Sequence, residues 1–216
     1  MFNGQWNQDK YLEETIFKGY KNGFFIDIGA HDGRSINNTL YFETANNWTG
    51  INVEPIKSVY DKLVTNRPNC VNLNCAIDET QGQAEFICNV GYTEMLSGLK
   101  SHYHEKHNTR LQYENNITGS TTSIQIVDTN TLANIFDEFN VKHVNYLSID
   151  VEGAEFSVIK SIDFDKVFID VIEFENNYDD ILPIIEYLVK KGYVLLHKSH
   201  DIFMINENSI FYIKNQ

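Results

Sequence analysis

The feature that most constrains the fold is an alternation of two residue patterns along the chain. Short apolar runs near residues 24–28, 50–54, 70–74, 145–150 and 167–173 alternate with stretches of helical periodicity. Runs of this length are typical of strands buried on both faces of a parallel sheet. The alternation therefore predicts an α/β fold with a doubly wound, mostly parallel sheet. Two closely spaced runs, 193–197 and 202–205, predict a closing antiparallel hairpin.

Helical periodicity predicts a leading helix within residues 1–22 and further helices near 35–43, 56–66, 130–139, 154–161 and 179–191. Between residues 89 and 122 the pattern weakens into a polar stretch flanked by two short strands. Long irregular segments inside compact domains usually carry function. We therefore expect residues 89–122 to form a lid on the substrate side. A length of 216 residues with 42% hydrophobic residues predicts one domain, residues 1–216.

The charge balance narrows the range of partners. A formal net charge of −13 without a basic cluster disfavours nucleic acid and anionic membrane surfaces. The first 21 residues contain acidic side chains and no long apolar run, so neither a signal peptide nor a membrane anchor is expected. Three cysteines without a C-x-x-C pair are expected to be reduced thiols. These features predict a soluble cytoplasmic protein. They are compatible with a homo-oligomer but do not specify one.

The most informative motif, D-I-G-A-H-D-G-R-S at residues 27–35, lies where the first strand turns into a helix. Glycines at this turn let the backbone approach a ligand closely. Dinucleotide-binding loops carry a third glycine and receive a pyrophosphate, which Asp27 would repel. The same carboxylate would attract the ammonium or sulfonium group of S-adenosylmethionine. Glu54, at the end of the second strand, is placed to accept hydrogen bonds from an adenosine ribose.

At these residues the chain resembles the FkbM-type methyltransferase family, whose members methylate hydroxyl groups. The resemblance runs from about residue 25 to residue 205. It is carried by residues 27–39, by W-T-G-I-N-V-E-P at 48–55, by S-G-L at 97–99, by L-S-I-D-V-E-G-A-E at 147–155 and by E-F-E-N-N at 173–177.

The resemblance implies a class I methyltransferase fold, Rossmann-like and seven-stranded. It also implies S-adenosylmethionine as the methyl donor, but it does not fix the acceptor, because members differ in substrate. Our leading hypothesis for the acceptor is a hydroxyl of a sugar, glycan or related small molecule. The predicted donor-binding residues are Asp27, Gly29, Ala30, Gly33, Ser35, Glu54, Ala76 and Glu152.

Carboxylates at the ends of later strands suggest the catalytic groups. Methyl transfer to oxygen requires alignment of donor and acceptor and removal of a proton. Asp150 is predicted to be the general base or a metal ligand, and Glu175 a second catalytic residue. The alternative is that Asp150 and Glu152 cap the following helix. Mg²⁺ is a further expectation, held by Asp150, Glu173 and Asn176, because hard cations prefer oxygen ligands.

Contacts to the acceptor are predicted for Ser97, His102, His104 and Asn176. The histidines near residue 104 are not expected to bind a metal, since their spacing does not match a zinc site. Two alternative functions remain open at this point. One is an NAD-type nucleotide-binding oxidoreductase, which Asp27 and the missing third glycine disfavour. The other is a catalytically silent S-adenosylmethionine-binding interaction module.

Overall fold

A computed structural model describes residues 1–176 and 181–214, and its centre is a seven-stranded sheet. Neighbouring strands run parallel except at β11, which is antiparallel to both of its neighbours. The predicted mostly parallel sheet and closing hairpin are confirmed. From edge to edge the order is β10 (Tyr193–Lys198), β11 (Asp201–Asn206), β9 (Phe168–Glu175), β8 (His143–Ile149), β1 (Phe24–Ile28), β2 (Thr49–Val53) and β3 (Val71–Leu73).

A second sheet of four strands covers part of the carboxyl ends of the large sheet. Its order is β4 (Ala76–Ile77), β7 (Thr121–Asn130), β5 (Gly82–Val90) and β6 (Gly98–Leu99). Phe86, Cys88 and Leu99 on its inner face pack against Ile56 and Ala154, which follow strands of the large sheet. The small sheet thereby forms one wall over the strand ends.

Helices cover both faces of the large sheet, as the doubly wound prediction requires. One face packs against α5 (Leu132–Glu138), α6 (Glu155–Lys160) and α7 (Leu182–Lys190). The other packs against α1 (Gln8–Leu12), a π-helical turn (Glu13–Phe17), α2 (Leu40–Asn46) and α8 (Ile210–Lys214). Two further helices are α3 (Lys57–Asn66) and α4 (Glu105–Thr118).

Two predicted elements differ from the structure. The helix expected from residue 35 begins only at Leu40, because Ile36 has a φ of 50° and Asn37 Oδ1 accepts the backbone N–H groups of Thr39 and Leu40. The segment 89–122 is not irregular, since it contains β6 and the fourteen-residue α4. Only His107 and Leu111 of α4 are buried. Because the other residues of this helix are not buried, its sequence does not show the repeated apolar positions of an amphipathic helix. The start of the helix predicted at residue 179 lies outside the described residues.

A row of polar side chains crosses one face of the large sheet close to its carboxyl edge. Asn52, Asp27, Ser148 and Glu173 are register neighbours on β2, β1, β8 and β9. Two residues further along, Glu175 lies beside Asp201 of β11. Because side chains alternate between the faces of a strand, these groups point to the same side of the sheet. The predicted common face for Glu173 and Glu175 follows from this register.

The three cysteines are free thiols, and burial raises the pKa of Cys70, Cys75 and Cys88 to about 11. Thiols with raised pKa values are poor nucleophiles at neutral pH. In the part of the chain that the structure describes, no helix has the length and apolar character needed to cross a membrane.

Candidate functional site

The best-formed cavity lies at the carboxyl ends of β1, β2, β8 and β9. Ligands bind at this place in open α/β sheets, where the strand order reverses on either side of β1. Its wall comes from the loops after these strands, from β4, β5 and β6, and from the N-terminal segment through Gln5 and Gln8. Among the described residues that line it there is no lysine or arginine. Its carboxyl groups belong to Asp27, Glu54, Glu94, Asp150, Glu152 and Glu175.

The loop after β1 depends on two glycines with positive φ, Gly29 at 84° and Gly33 at 72°. A Cβ atom at Gly29 would lie 1.8 Å from the carbonyl oxygen of Asp150. At Gly33 it would lie 2.5 Å from a methyl carbon of Leu63. Both positions therefore exclude a side chain, and the loop lies flat along the cavity. His31 also has a positive φ, 51°, a conformation that non-glycine residues seldom adopt.

We call the network beneath this loop the arginine corner; it comprises Asp27, Asn37, Thr39, Glu43 and Arg67. Asp27 Oδ2 accepts hydrogen bonds of 2.8 Å from Asn37 Nδ2 and from Thr39 Oγ1. Arg67 is fully buried, pairs with Glu43, and donates to Asn37 Oδ1 and Thr39 Oγ1. Burial raises the pKa of Asp27, while the charge of Arg67 and the two side-chain donors oppose the rise. The corner thus holds a buried carboxylate with its compensating charge.

Glu54 lies at the end of β2 and faces the cavity. Its Oε1 accepts the backbone N–H of Ile56 at 2.8 Å, which fixes the carboxyl group against the start of α3. Burial raises the pKa of Glu54 to about 7. Nearby apolar groups suited to a flat ring come from Ile56, Ala76 and Phe86. The carboxyl group and the apolar wall together fit the ribose and the base of an adenosine.

Several polar atoms on the cavity wall lack hydrogen-bond partners among the described residues. They are both ring nitrogens of His31 and Oδ1 of Asn38. Asn38 is 8% exposed, and its Nδ2 donates to Ser148 Oγ at 3.3 Å. Buried polar atoms are nearly always paired, and the exceptions often mark places where a ligand supplies the partner. The cavity therefore fits a ligand with its own donors and acceptors, as S-adenosylmethionine has.

Three carboxylates, which we call the acidic trio, meet at the ends of β8 and β9. One oxygen each of Asp150, Glu152 and Glu175 lies within 4.8 Å of the other two. Asp150 is accessible at the cavity. Desolvation by the surrounding protein, the larger effect, and the charge of Asp27 raise its pKa to about 6, and a hydrogen bond with Glu175 opposes the rise. A hydrogen bond between two carboxyl groups requires a shared proton. The trio can therefore accept or release a proton near neutral pH.

A buried histidine on α4 supports the trio from behind. His107 Nδ1 lies 3.4 Å from Glu152 Oε2, and His107 Nε2 lies 3.1 Å from the carbonyl oxygen of Leu96. The carbonyl can only accept, so Nε2 carries a hydrogen. A proton must then also lie between Nδ1 and Glu152, because two lone pairs would repel. Glu152 adopts a φ of 57°, so this pair holds a residue with an uncommon backbone conformation.

The carboxylates that converge with Asp150 are those of Glu152 and Glu175, whereas the predicted metal set was Asp150, Glu173 and Asn176. Glu173 is 2% exposed and bonds to the hydroxyls of Tyr146 and Ser148. Binding of a metal by Asp150 and Asn176 stays a prediction. The converging oxygens are those of the acidic trio. Capping of α6 by Asp150 and Glu152 is not observed, because the residue before that helix is Ala154 and no side chain caps it.

Most of the predicted donor-binding residues line the cavity, whereas most of the predicted acceptor-binding residues do not. Asp27, Gly29, Ala30, Ser35, Glu54, Ala76, Glu152 and Ser97 line the cavity, together with the predicted catalytic Asp150 and Glu175. Gly33 supports the loop from behind. Within the described residues, His102, His104 and Asn176 are not part of the lining. His102 Nε2 lies 3.2 Å from Asp78 Oδ1, and His104 Nδ1 accepts the backbone N–H of Lys106. Contacts between these three residues and the acceptor stay predictions.

Sequence reasoning missed Arg67, Asn38 and His107. Asn38 lies in the quoted motif but received no role, although an amide just past a glycine loop is a plausible ligand contact. Arg67 directly follows α3 and has no sequence signal beyond its rarity in this chain. His107 received no role, because its burial depends on a helix that the pattern did not predict.

Comparison with known proteins agrees with this geometry. The model of the FkbM methyltransferase domain matches residues 27–195. Together with the strand order and the glycine loop, this match defines the class of protein as a class I methyltransferase. The chain belongs to the FkbM methyltransferase family. This family and fold imply the use of S-adenosylmethionine. No curated protein sequence matches the chain significantly.

Solved structures share the fold at low sequence identity. The METTL16 MTase domain aligns with a TM-score of 0.53 and 12% identity, over 95% of this chain and 68% of that one. A human methyltransferase 10 domain containing protein aligns with a TM-score of 0.50 and 12% identity, over 94% and 82% of the two chains. Similarity at this level concerns the fold and not the substrate.

Proposed function

We propose that this protein transfers the methyl group of S-adenosylmethionine to a hydroxyl of a sugar, glycan or related small molecule. The observation that carries the proposal is the convergence of the acidic trio beside the glycine loop, in a cavity whose described lining residues include no basic side chain other than that of a histidine. A cationic donor and a neutral, hydroxyl-bearing acceptor suit such a lining, whereas an anionic acceptor would be repelled.

Different residues of the cavity would bind the donor and the acceptor. Asp27 and the loop containing Gly29 would hold the amino-acid part of the donor, and Glu54 its ribose. The bound donor supplies an electrophilic methyl group on a positively charged sulfur. Residues 94–99 line the cavity beside Glu152, which supports a role of segment 89–122 as an acceptor-side wall of one domain.

Asp150, assisted by Glu175, would accept the hydroxyl proton as the new oxygen–carbon bond forms. A carboxylate with a pKa of about 6 is mostly ionised at neutral pH, so it can act as the base. Before the transfer, Glu175 would stabilise the ionised Asp150 through their hydrogen bond, which lowers the pKa of Asp150. The proton leaves to solvent after the product dissociates.

The two alternatives can be separated from this proposal by binding and turnover. Calorimetry should show micromolar binding of S-adenosylmethionine and S-adenosylhomocysteine, with no binding of NAD. Asp27→Asn, which keeps the size of the side chain, should abolish donor binding, and the exposed control Asp165→Asn should not. Binding of NAD alone would support the oxidoreductase alternative.

Release of S-adenosylhomocysteine distinguishes an enzyme from a silent binding module. The acceptor panel should pair each sugar with its amino-sugar analogue, so that a hydroxyl and an amine are compared at one position. We expect methylated sugars, identified by mass spectrometry, and no N-methylated analogue. Donor binding without turnover on any acceptor would favour the interaction module, and N-methylation would overturn the oxygen assignment.

The Mg²⁺ of the sequence analysis stays a prediction with a different candidate ligand set, the acidic trio. Three carboxylate oxygens suit a hard cation. Dialysis against EDTA followed by readdition of Mg²⁺ tests it. Turnover that is unchanged by EDTA would assign the trio to proton transfer alone.

A further inference from the structure

The small sheet has an open edge along most of β7. This strand pairs with β5 from Thr121 to Thr129, but with β4 only at Thr129 and Asn130. Every residue from 121 to 126 is exposed. In the described part of the chain, no other strand lies along the side of residues 121–127 that faces away from β5. Their backbone groups on that side form the free edge.

The register shows which residues present backbone groups at this edge. The N–H of Asp78 donates to the carbonyl oxygen of Asn130 at 3.0 Å, so Asn130 points toward the side of β4. Pairing with β5 runs without a shift from Thr121 to Thr129. Because alternate residues of a strand point to the same edge, Thr122, Ile124 and Ile126 also present their N–H and C=O groups there.

The free edge lacks the features that protect natural edge strands. Lysine, proline and bulges usually prevent an edge from pairing with another chain. Residues 121–127, T-T-S-I-Q-I-V, contain none of these and no charge, in a protein with a net charge of −13. Ile124 and Ile126 are 53% and 62% exposed. Glu85, the carboxylate opposite Ile126 on β5, is already paired with Lys100 Nζ at 2.8 Å.

We propose that a second copy of this chain pairs along this edge, with the two β7 strands antiparallel about a two-fold axis at Gln125. Ile124 of each copy then lies opposite Ile126 of the other, and both residues present backbone groups at the edge. Each such pair exchanges two backbone hydrogen bonds. The pairing joins the two small sheets into one continuous sheet.

The chemistry of the edge favours a second copy over an unrelated peptide. The segment is self-complementary, because the two-fold register places isoleucine against isoleucine and uncharged residues against uncharged ones. Asp128, the nearest acidic residue of β7, comes opposite Thr122 of the other copy and not opposite a second carboxylate. Two bodies that both carry −13 can approach closely only through an uncharged surface such as this one.

The oligomeric state of the full chain tests the proposal. Light scattering after size exclusion, with sedimentation velocity, should give twice the chain mass of 25.0 kDa. Ile126→Pro removes an N–H that points to the free edge and not to β5, and edge strands tolerate proline there. This variant should run at the single-chain mass at concentrations where the wild type is dimeric, with unchanged circular dichroism. Ile124→Lys should do the same.

The matched control is Ile117→Lys on α4, which removes an isoleucine that is 64% exposed but lies outside the edge. It should remain dimeric. A wild-type protein of single-chain mass would overturn the proposal. So would a dimer that survives both edge variants, or one that Ile117→Lys abolishes equally. No residue from 121 to 127 lines the cavity, so donor binding should be the same in all variants and is tested separately.

Discussion

The arginine corner and the acidic trio both hold carboxyl groups at strand ends of one sheet, but they compensate the charge in different ways. In the arginine corner, the buried Arg67 and two neutral donors surround Asp27. The trio has no lysine or arginine beside it within the described cavity lining, and it relies on shared protons and on His107. The charge of Arg67 opposes the rise that burial causes in the pKa of Asp27, whereas Asp150, with a pKa of about 6, shares a proton with Glu175.

This difference matches the two tasks of the proposed reaction. A site that recognises a cationic donor gains from a carboxylate whose ionised form is favoured by a nearby cation and by hydrogen-bond donors. A site that accepts a proton needs a pKa close to the working pH. The comparison therefore predicts that changes in the arginine corner act on stability and donor binding, and that changes in the trio act on turnover.

The largest expected effect is that of Arg67→Met. Removing one partner of a buried ion pair costs about 3–5 kcal/mol, because the other charge stays buried and unpaired. Each kcal/mol corresponds to about 2–4 °C in the melting temperature of a domain of this size, so differential scanning calorimetry should show a fall of roughly 10 °C. Arg34→Met, an exposed arginine of the same loop, is the control and should melt close to the wild type. Equal melting temperatures of all three proteins would refute the role of Arg67.

Asp150→Asn should lower turnover by about 10²–10⁴-fold, the usual contribution of a general base. Donor affinity should change little, because the amide keeps the size and polarity of the side chain. Single-turnover rates with an accepted sugar and calorimetric donor binding measure the two effects, with Asp165→Asn as the control. For the wild type, the rate should fall as the pH drops through about 6, where Asp150 becomes protonated. If Asp150→Asn lost donor binding together with turnover, the arginine corner and the acidic trio would not have separate roles.

The stability of the ligand-free protein should decrease as the pH rises. Burial raises the pKa values of Glu54, Glu155 and Asp201 to about 7, above their values in an unfolded chain. The folded state therefore binds more protons than the unfolded state between about pH 4 and 7, and stability is lost across that range. We expect the melting temperature to fall by on the order of 5 °C between pH 5.5 and 8. Asp201→Asn should flatten this slope, and a slope of the opposite sign would contradict the assignment.

The smallest expected effect is that of His107→Gln. Glutamine can still donate to the carbonyl of Leu96 but has no ring nitrogen to share a proton with Glu152, and burial lowers the pKa of His107. We expect donor or acceptor affinity to change by about three- to tenfold, the value of one or two hydrogen bonds, with little change in melting temperature. The pH profile of turnover should shift as well, which a purely structural role would not produce. His197→Gln, an exposed histidine on β10, is the control.

Much of the fold could be predicted because apolar runs and glycines are local signals. The strands of the large sheet, β5, β7, the closing hairpin and the turn at Gly29 were predicted within a few residues, whereas β4 and β6 of the small sheet were not. The start of α2 was not, because Asn37 and Thr39 bond to Asp27 and Arg67 instead of continuing a helix. Helix α4 was missed because most of its residues face solvent, so no periodic apolar face marks it.

The sequence by itself determined the order of elements, the glycine loop and the acidic residues that end the strands. Those features depend on the backbone freedom of glycine and on local hydrophobic periodicity, which a single chain segment specifies. Only the tertiary structure decided that Arg67 compensates Asp27, that Glu152 and not Glu173 joins Asp150 and Glu175, and that one edge of β7 is open. These contacts and the open edge depend on how segments far apart in the chain pair and pack. A local sequence pattern does not specify which distant residues come together.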